Sequence, residues 1–186
     1  MKYYKKLCTA SIFVMFISTS FAQEKSGIGE TEMEHNHHNH KSHYISEINN
    51  EIKALTNEEV NQLLIGEGMG LAKAAELNNY PGPKHVLDLS SELNLTKEQN
   101  EKTKALFNTM KTEAKHLGNS IIKKEKELDL LFQSNSVDEK SIRDKVLEIS
   151  QLKGKLRFVH LDAHLKQKEI LTSDQVNSYN KLRGYN

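Results

Sequence analysis

The chain has 186 residues, one cysteine, no tryptophan and 6% aromatic residues, which suffices for one domain but offers few of the bulky side chains that fill a large single core. Its formal net charge of +1 leaves no basis for general nucleic-acid binding. The lone cysteine, Cys8, excludes an intrachain disulfide, and its place near the N-terminus leaves the rest of the chain without thiolate metal sites or thiol catalysis.

Residues 1–22 read as a signal peptide. Lys2, Lys5 and Lys6 form a positive start, Leu7 to Ile17 an apolar run, and Ser20-Phe21-Ala22 a small-residue ending, so cleavage is expected after Ala22. The apolar run is too short for a span of about 20 residues, and no later stretch qualifies. The mature chain is therefore expected to lie outside the cytoplasm without a transmembrane segment. Without the three signal lysines, the 26 basic residues fall to 23 against 25 acidic ones, a net charge of −2.

Residues 23–54 are polar and lack the apolar periodicity that buries a core, so a flexible segment is predicted. It carries His35, His37, His38, His40 and His43. Neutral imidazoles on such a segment suit Zn, Cu or Ni; the alternative is a solvated tail.

Residues 55–186 read as helical throughout, an all-α domain. Leu55-Thr56-Asn57-Glu58-Glu59 opens a first helix predicted to run to about Asn78, and Tyr80-Pro81-Gly82-Pro83 stops it. Gly66, Gly70 and Ala74, spaced by four, predict a small-residue face that a neighbouring helix could approach. A short helix from Lys84 to about Leu93 follows. A long third helix runs from Leu95 to about Phe132, with Phe107, Met110, Ala114, Leu117, Ile121, Leu128 and Leu131 as an apolar stripe interrupted by Lys124. After a polar turn at 133–136, a fourth helix from about Asp138 to Ile170 carries the matching stripe Ile149, Leu152, Leu156, Val159, Ala163 and Ile170. The short turn requires an elongated antiparallel hairpin. Leu147, Phe158, Leu161 and Leu165 form a second apolar face on this helix, for another helix of the chain or for a second subunit. The segment 123–127 reads as exposed and salt-bridged. A last helix opens at Leu171-Thr172-Ser173-Asp174-Gln175 and ends near Gly184.

Three starts share the pattern Leu-Thr-x-x-Glu/Gln. Each is a capping box, in which the Thr hydroxyl accepts the N3 amide and the Glu/Gln side chain reaches back to the Thr amide. Two are Leu-Thr-x-x-Gln: Leu95, Thr96 and Gln99, then Leu171, Thr172 and Gln175. Bracketing a long hairpin, they resemble the Spy/CpxP family of periplasmic chaperones and the related metal-responsive proteins ZraP and CnrX. The stretches 66–78, 80–87 and 160–185 carry the likeness further. It implies a periplasmic, ATP-independent chaperone or envelope-stress adaptor. Its partners would be partly unfolded envelope proteins, a membrane-bound sensor or a second copy of the chain. The alternative is a periplasmic heavy-metal sensor or buffer for Zn, Cu or Ni.

His160 and His164 share one face of the fourth helix, a known helical spacing for two metal ligands. The zincin glutamate is absent between them. Asp162 points away, and His85, His116, Glu67 or the leader histidines are the candidates to complete a site. The other reading is two hydrogen-bonded histidines at a packing boundary. No nucleophile–base arrangement or nucleotide loop can be assembled, no cofactor is required, and an enzyme is not expected.

Overall fold

The computed structural model describes residues 41–185. They belong to one compact helical unit, with no strand among the described residues. Six helices follow in order: α1 (Asn57–Ile65), α2 (Lys73–Glu76), α3 (Pro83–Asp88), α4 (Lys97–Gln133), α5 (Glu139–Ile170) and α6 (Ser173–Arg183). None of them is long and apolar enough to cross a membrane.

The predicted hairpin is formed by α4 and α5. At 1.5 Å per residue, the 37 residues of α4 span about 55 Å. Met110, Ala114, Leu117 and Ile121 of α4 are buried against Leu156, Val159 and Ala163 of α5. Leu152 and Phe107 pack half-buried at the edge of this seam. Each fully buried Leu or Ile contributes about 2–3 kcal/mol. The antiparallel register is fixed by nested polar pairs: Gln167 Nε2 donates to Thr103 Oγ1 at 3.1 Å near one end, and Lys153 Nζ to Glu125 Oε1 at 2.7 Å near the other.

Segment 123–127 is not simply exposed. Glu125 is only 4% exposed. Lys124, the interruption in the stripe, closes a ring of charges in which Glu127 and Glu148 each bridge Lys124 and Lys145 at 2.6–3.1 Å. The stripe can therefore carry a lysine there because its charge is matched on both sides.

The predicted first helix is two helices. Gly66 ends α1 in the left-handed region at φ 67°, a C-cap that glycine adopts without strain. A turn then leads to α2. The spacing of Gly66, Gly70 and Ala74 resembled a helix face, but the first glycine is the helix stop. The close helix approach occurs at Gly118 of α4, where a Cβ would collide with the Leu63 carbonyl of α1. The short helix expected from Lys84, α3, also ends earlier than expected, at Asp88, and turns carry the chain to Leu95.

The helical unit takes in part of the polar segment preceding Leu55. Residues 43–47 form a 3₁₀ turn, and Ile52 is 4% exposed in the main core. Lys53 N–H donates to Asp129 at 2.7 Å and Glu51 pairs with Lys126 at 2.6 Å. This strap thus crosses α4 near the hairpin turn, and α1 then runs back along α4 to Gly66, where Lys111 lies against it.

All three capping boxes form. In each, the Thr hydroxyl accepts the N3 amide at 3.1–3.2 Å and the acidic or amide side chain accepts the Thr amide at 2.8–3.0 Å. The two glutamine boxes also bond each other. Gln99 Nε2 donates to Gln175 Oε1 at 2.8 Å and to the Ile170 carbonyl at 2.9 Å. Gln175 Nε2 donates to Gln99 Oε1 at 3.1 Å and to the Leu93 carbonyl at 3.2 Å. This clasp explains glutamine at both places: an amide accepts from its own cap and donates outward at once, which a carboxylate cannot do. Beneath it, Val86, Leu93, Leu171, Val176 and Tyr179 form a second, smaller core.

Among the described residues, no other helix covers the second apolar face of α5. Phe158 is 66% exposed, Leu147 and Leu165 are also exposed, and only Leu161 is half-buried.

Candidate metal centre

His160 and His164 project from α5 toward the loop joining α2 and α3. That loop is shaped by Tyr80-Pro81-Gly82-Pro83, where Pro83 opens α3. A Cβ at Gly82 would lie 2.9 Å from the His164 ring, so a side chain there would displace the imidazole. The Tyr80 carbonyl lies 2.7 Å from His164 Nδ1. A carbonyl only accepts, so Nδ1 is the donor there, and in the neutral tautomer that makes this bond the lone pair lies on Nε2.

His160 is 3% exposed, and its Nε2 has no hydrogen-bond partner. An orphaned nitrogen of this kind is costly unless something else satisfies it. Burial, reinforced by His164, lowers its pKa below the ordinary imidazole value. His85 is lowered as well, chiefly by burial and then by Arg183, with Glu76 and Asp88 opposing. Both rings are therefore held toward the neutral form that binds metals.

The three histidines meet at an open pocket of about 470 Å³ also lined by Met69, Glu76 and Tyr185. A smaller adjoining pocket is lined by Glu67 with His85, His160 and His164. The Glu76 side chain is 12% exposed, with Oε2 3.5 Å from His164 Nδ1. Among the described residues, no three His, Cys, Asp or Glu side chains are already drawn together tightly enough to hold an ion. The donors stand on separate elements around one pocket, and the His160 nitrogen is left without a hydrogen bond among the described residues. Imidazole and carboxylate donors suit Zn, Ni and Cu(II).

Of the other candidate ligands, His85 lines both pockets and Glu67 the smaller one, whereas His116 is exposed on α4. His43 is exposed, with its ring against Tyr44, in the turn that precedes the strap at the opposite end of the hairpin. His35, His37, His38 and His40 lie outside the described residues, as does the expected signal peptide. Asp162 pairs with Lys166 at 2.7 Å, away from the histidines. Glu76 and Met69 carry no local signal in the sequence; only the turn after Gly66 and the loop at Tyr80 bring them to α5.

The family model described as heavy-metal resistance matches residues 74–177, which include Glu76, His85, His160, His164 and both glutamine boxes. No curated protein and no solved structure matches the chain. The match covers more than half of the sequence, and with the all-helical hairpin it places the chain in the heavy-metal resistance family, within the Spy/CpxP/ZraP/CnrX-like helical group.

Proposed function

We propose that the protein is an exported, non-enzymatic protein of the bacterial periplasm that binds a divalent heavy metal in the pocket between α5 and the α2–α3 loop. His160 and His164 are its principal ligands, with His85 and Glu76 completing the set. The carrying observation is the buried, unpartnered His160 Nε2 beside His164. The chain's own part is to hold the His160 and His85 rings toward the neutral form and to orient His164 through the Tyr80 carbonyl. A bound ion supplies a charge that draws α2, α3 and α5 together, which makes the protein a sensor or buffer. The leader histidines His35, His37, His38 and His40 add weaker donors.

Titration of the mature chain with Zn, Cu and Ni tests this. One stoichiometric site is expected, with a rise in Tm that grows with free metal. At a hundredfold excess over Kd the stabilisation is about 2.7 kcal/mol. His160→Ala with His164→Ala removes both effects. An unchanged Tm in the unsubstituted protein overturns the reading.

A second reading, ATP-independent chaperone activity, is supported by the uncovered face at Leu147, Phe158 and Leu165. Weak, reversible apolar contact with partly unfolded envelope proteins needs no hydrolysis. The same face could instead pair with a second copy. Phe158→Asp with Leu165→Asp should abolish suppression of client aggregation in the absence of metal; retained suppression removes this reading. Concentration dependence of the mass separates the dimer from the client.

A further inference from the structure

Glu76 stands between the histidine pocket and the C-terminal helix. Its Oε1 accepts from Tyr179 Oη at 2.5 Å and from Tyr185 Oη at 3.0 Å, with Arg183 Nε 3.7 Å away. Its Oε2 accepts from the Gly82 amide at 3.1 Å and lies on the His164 side of the carboxylate. A carboxylate has about four lone-pair directions. Three are filled here, two of them by phenols from α6 and the segment after it. The remaining one is on Oε2, the oxygen 3.5 Å from His164 Nδ1.

We infer that α6 is coupled to the metal pocket through Glu76, with Tyr179 and Tyr185 acting as positioning residues that hold the carboxylate for capture of a divalent cation beside His160 and His164. The inference rests on the metal reading above and adds its regulation. Outer hydrogen bonds of this kind orient a ligand and tune its basicity. The phenols are well placed for the task. Tyr179 is fully buried, and its hydroxyl donates directly to Glu76 Oε1. Asn180 adds a second tie between α6 and this loop, donating to Asn79 Oδ1 at 2.6 Å. No other described acidic residue joins α6 to the pocket in this way: Glu67 lines only the adjoining pocket, from the α1–α2 turn, and Asp88 belongs to α3.

Coupling of this type is reciprocal. If α6 holds Glu76 for the metal, the metal must hold α6 to the body. Cation capture should therefore protect α6 from opening, although neither tyrosine hydroxyl touches the ion.

The test is hydrogen exchange of the full mature chain with and without Zn²⁺, beside Zn²⁺ affinity by calorimetry. In the unsubstituted protein Zn²⁺ should slow exchange around 160–164 and throughout 173–183. Tyr179→Phe with Tyr185→Phe keeps both rings and removes only the hydroxyls. It should weaken Zn²⁺ binding about 10–100-fold. At saturating Zn²⁺ it should keep the protection at 160–164 and lose the increment in α6. Tyr185→Phe alone, near the chain end, gives the same result in smaller degree should the double variant fold poorly. A loss of stability alone would alter exchange equally with and without Zn²⁺ and overturns the inference. So does a wild-type response confined to 160–164, or unchanged affinity in the phenylalanine variants; in those cases the metal site stands. No Zn²⁺ response anywhere in the unsubstituted protein overturns the metal reading and this inference together.

Discussion

The two ends of the α4–α5 hairpin are held by different physics. At the base, the two glutamine boxes join through neutral amides: each side-chain NH₂ donates to two acceptors and each amide oxygen accepts from two donors, one of them its own cap. Near the turn, Lys124, Glu127, Lys145 and Glu148 form a ring in which each charge touches two opposite ones. Directional neutral bonds specify position and respond little to pH or salt. Partly exposed ion pairs tolerate displacement, are screened, and contribute little net stability. The histidine pocket lies toward the specified end, where ligand geometry has to be reproducible. The charged end receives the strap that leads in from the N-terminal segment.

The contrast breaks most clearly if the clasp is given charges. Gln99→Glu with Gln175→Glu removes both outward donors and sets two carboxylates against each other. A loss of about 3 kcal/mol is expected at neutral pH. Each new carboxyl has a folded-state pKa above its unfolded value. Stability should therefore return in part as pH falls and the groups regain a proton to donate. Denaturant melts at pH 7 and pH 4 measure this; equal losses at both values would show that the clasp does not depend on donation.

A smaller effect sharpens the role of the boxes. Thr96→Ala and Thr172→Ala should each cost about 1 kcal/mol. Because their glutamines bond each other, the double variant should depart from the sum of the singles. Thr56→Ala, whose Glu59 belongs to no such pair, should add independently to either. Denaturation of the three single and three double variants supplies the cycles, and strict additivity throughout would detach the caps from the clasp.

The smallest effect belongs to the charged end. Glu127→Gln should cost about 0.5 kcal/mol at neutral pH, less in high salt. Hydrogen bonds from Lys145 and then Lys124 hold the Glu127 pKa at about 2, below its ordinary 4.5. Being depressed, it contributes fully above about pH 4.5 and loses its contribution as pH falls toward 2. The variant's deficit should shrink over that window. A deficit independent of pH would mean that the ring acts through packing alone.

These differences also mark what the sequence disclosed. The helix starts were legible because a capping box is written in four or five adjacent residues, and the hairpin because its stripe repeats over many turns. The stop at Gly66 was obscured because its spacing to Gly70 and Ala74 imitates a helix face. Glu125 looked solvated because its lysine partner lies 28 residues away. The i, i+4 pair His160/His164 was visible, whereas Glu76 reaches His164 only through the loop at Tyr80. Local rules name donors on one helix; assembly of donors from three elements is a tertiary fact.

The glutamine clasp has a consequence for the time axis as well. Its side chains are 76 residues apart in sequence, while the turn after Gln133 joins immediate neighbours. A hairpin that closes from its turn forms the clasp last, since loop closure favours short separations first. Bonds absent from the folding transition state slow unfolding and leave the folding rate almost unchanged. The clasp then acts as a kinetic latch: it lengthens the lifetime of the native hairpin more than it hastens its formation.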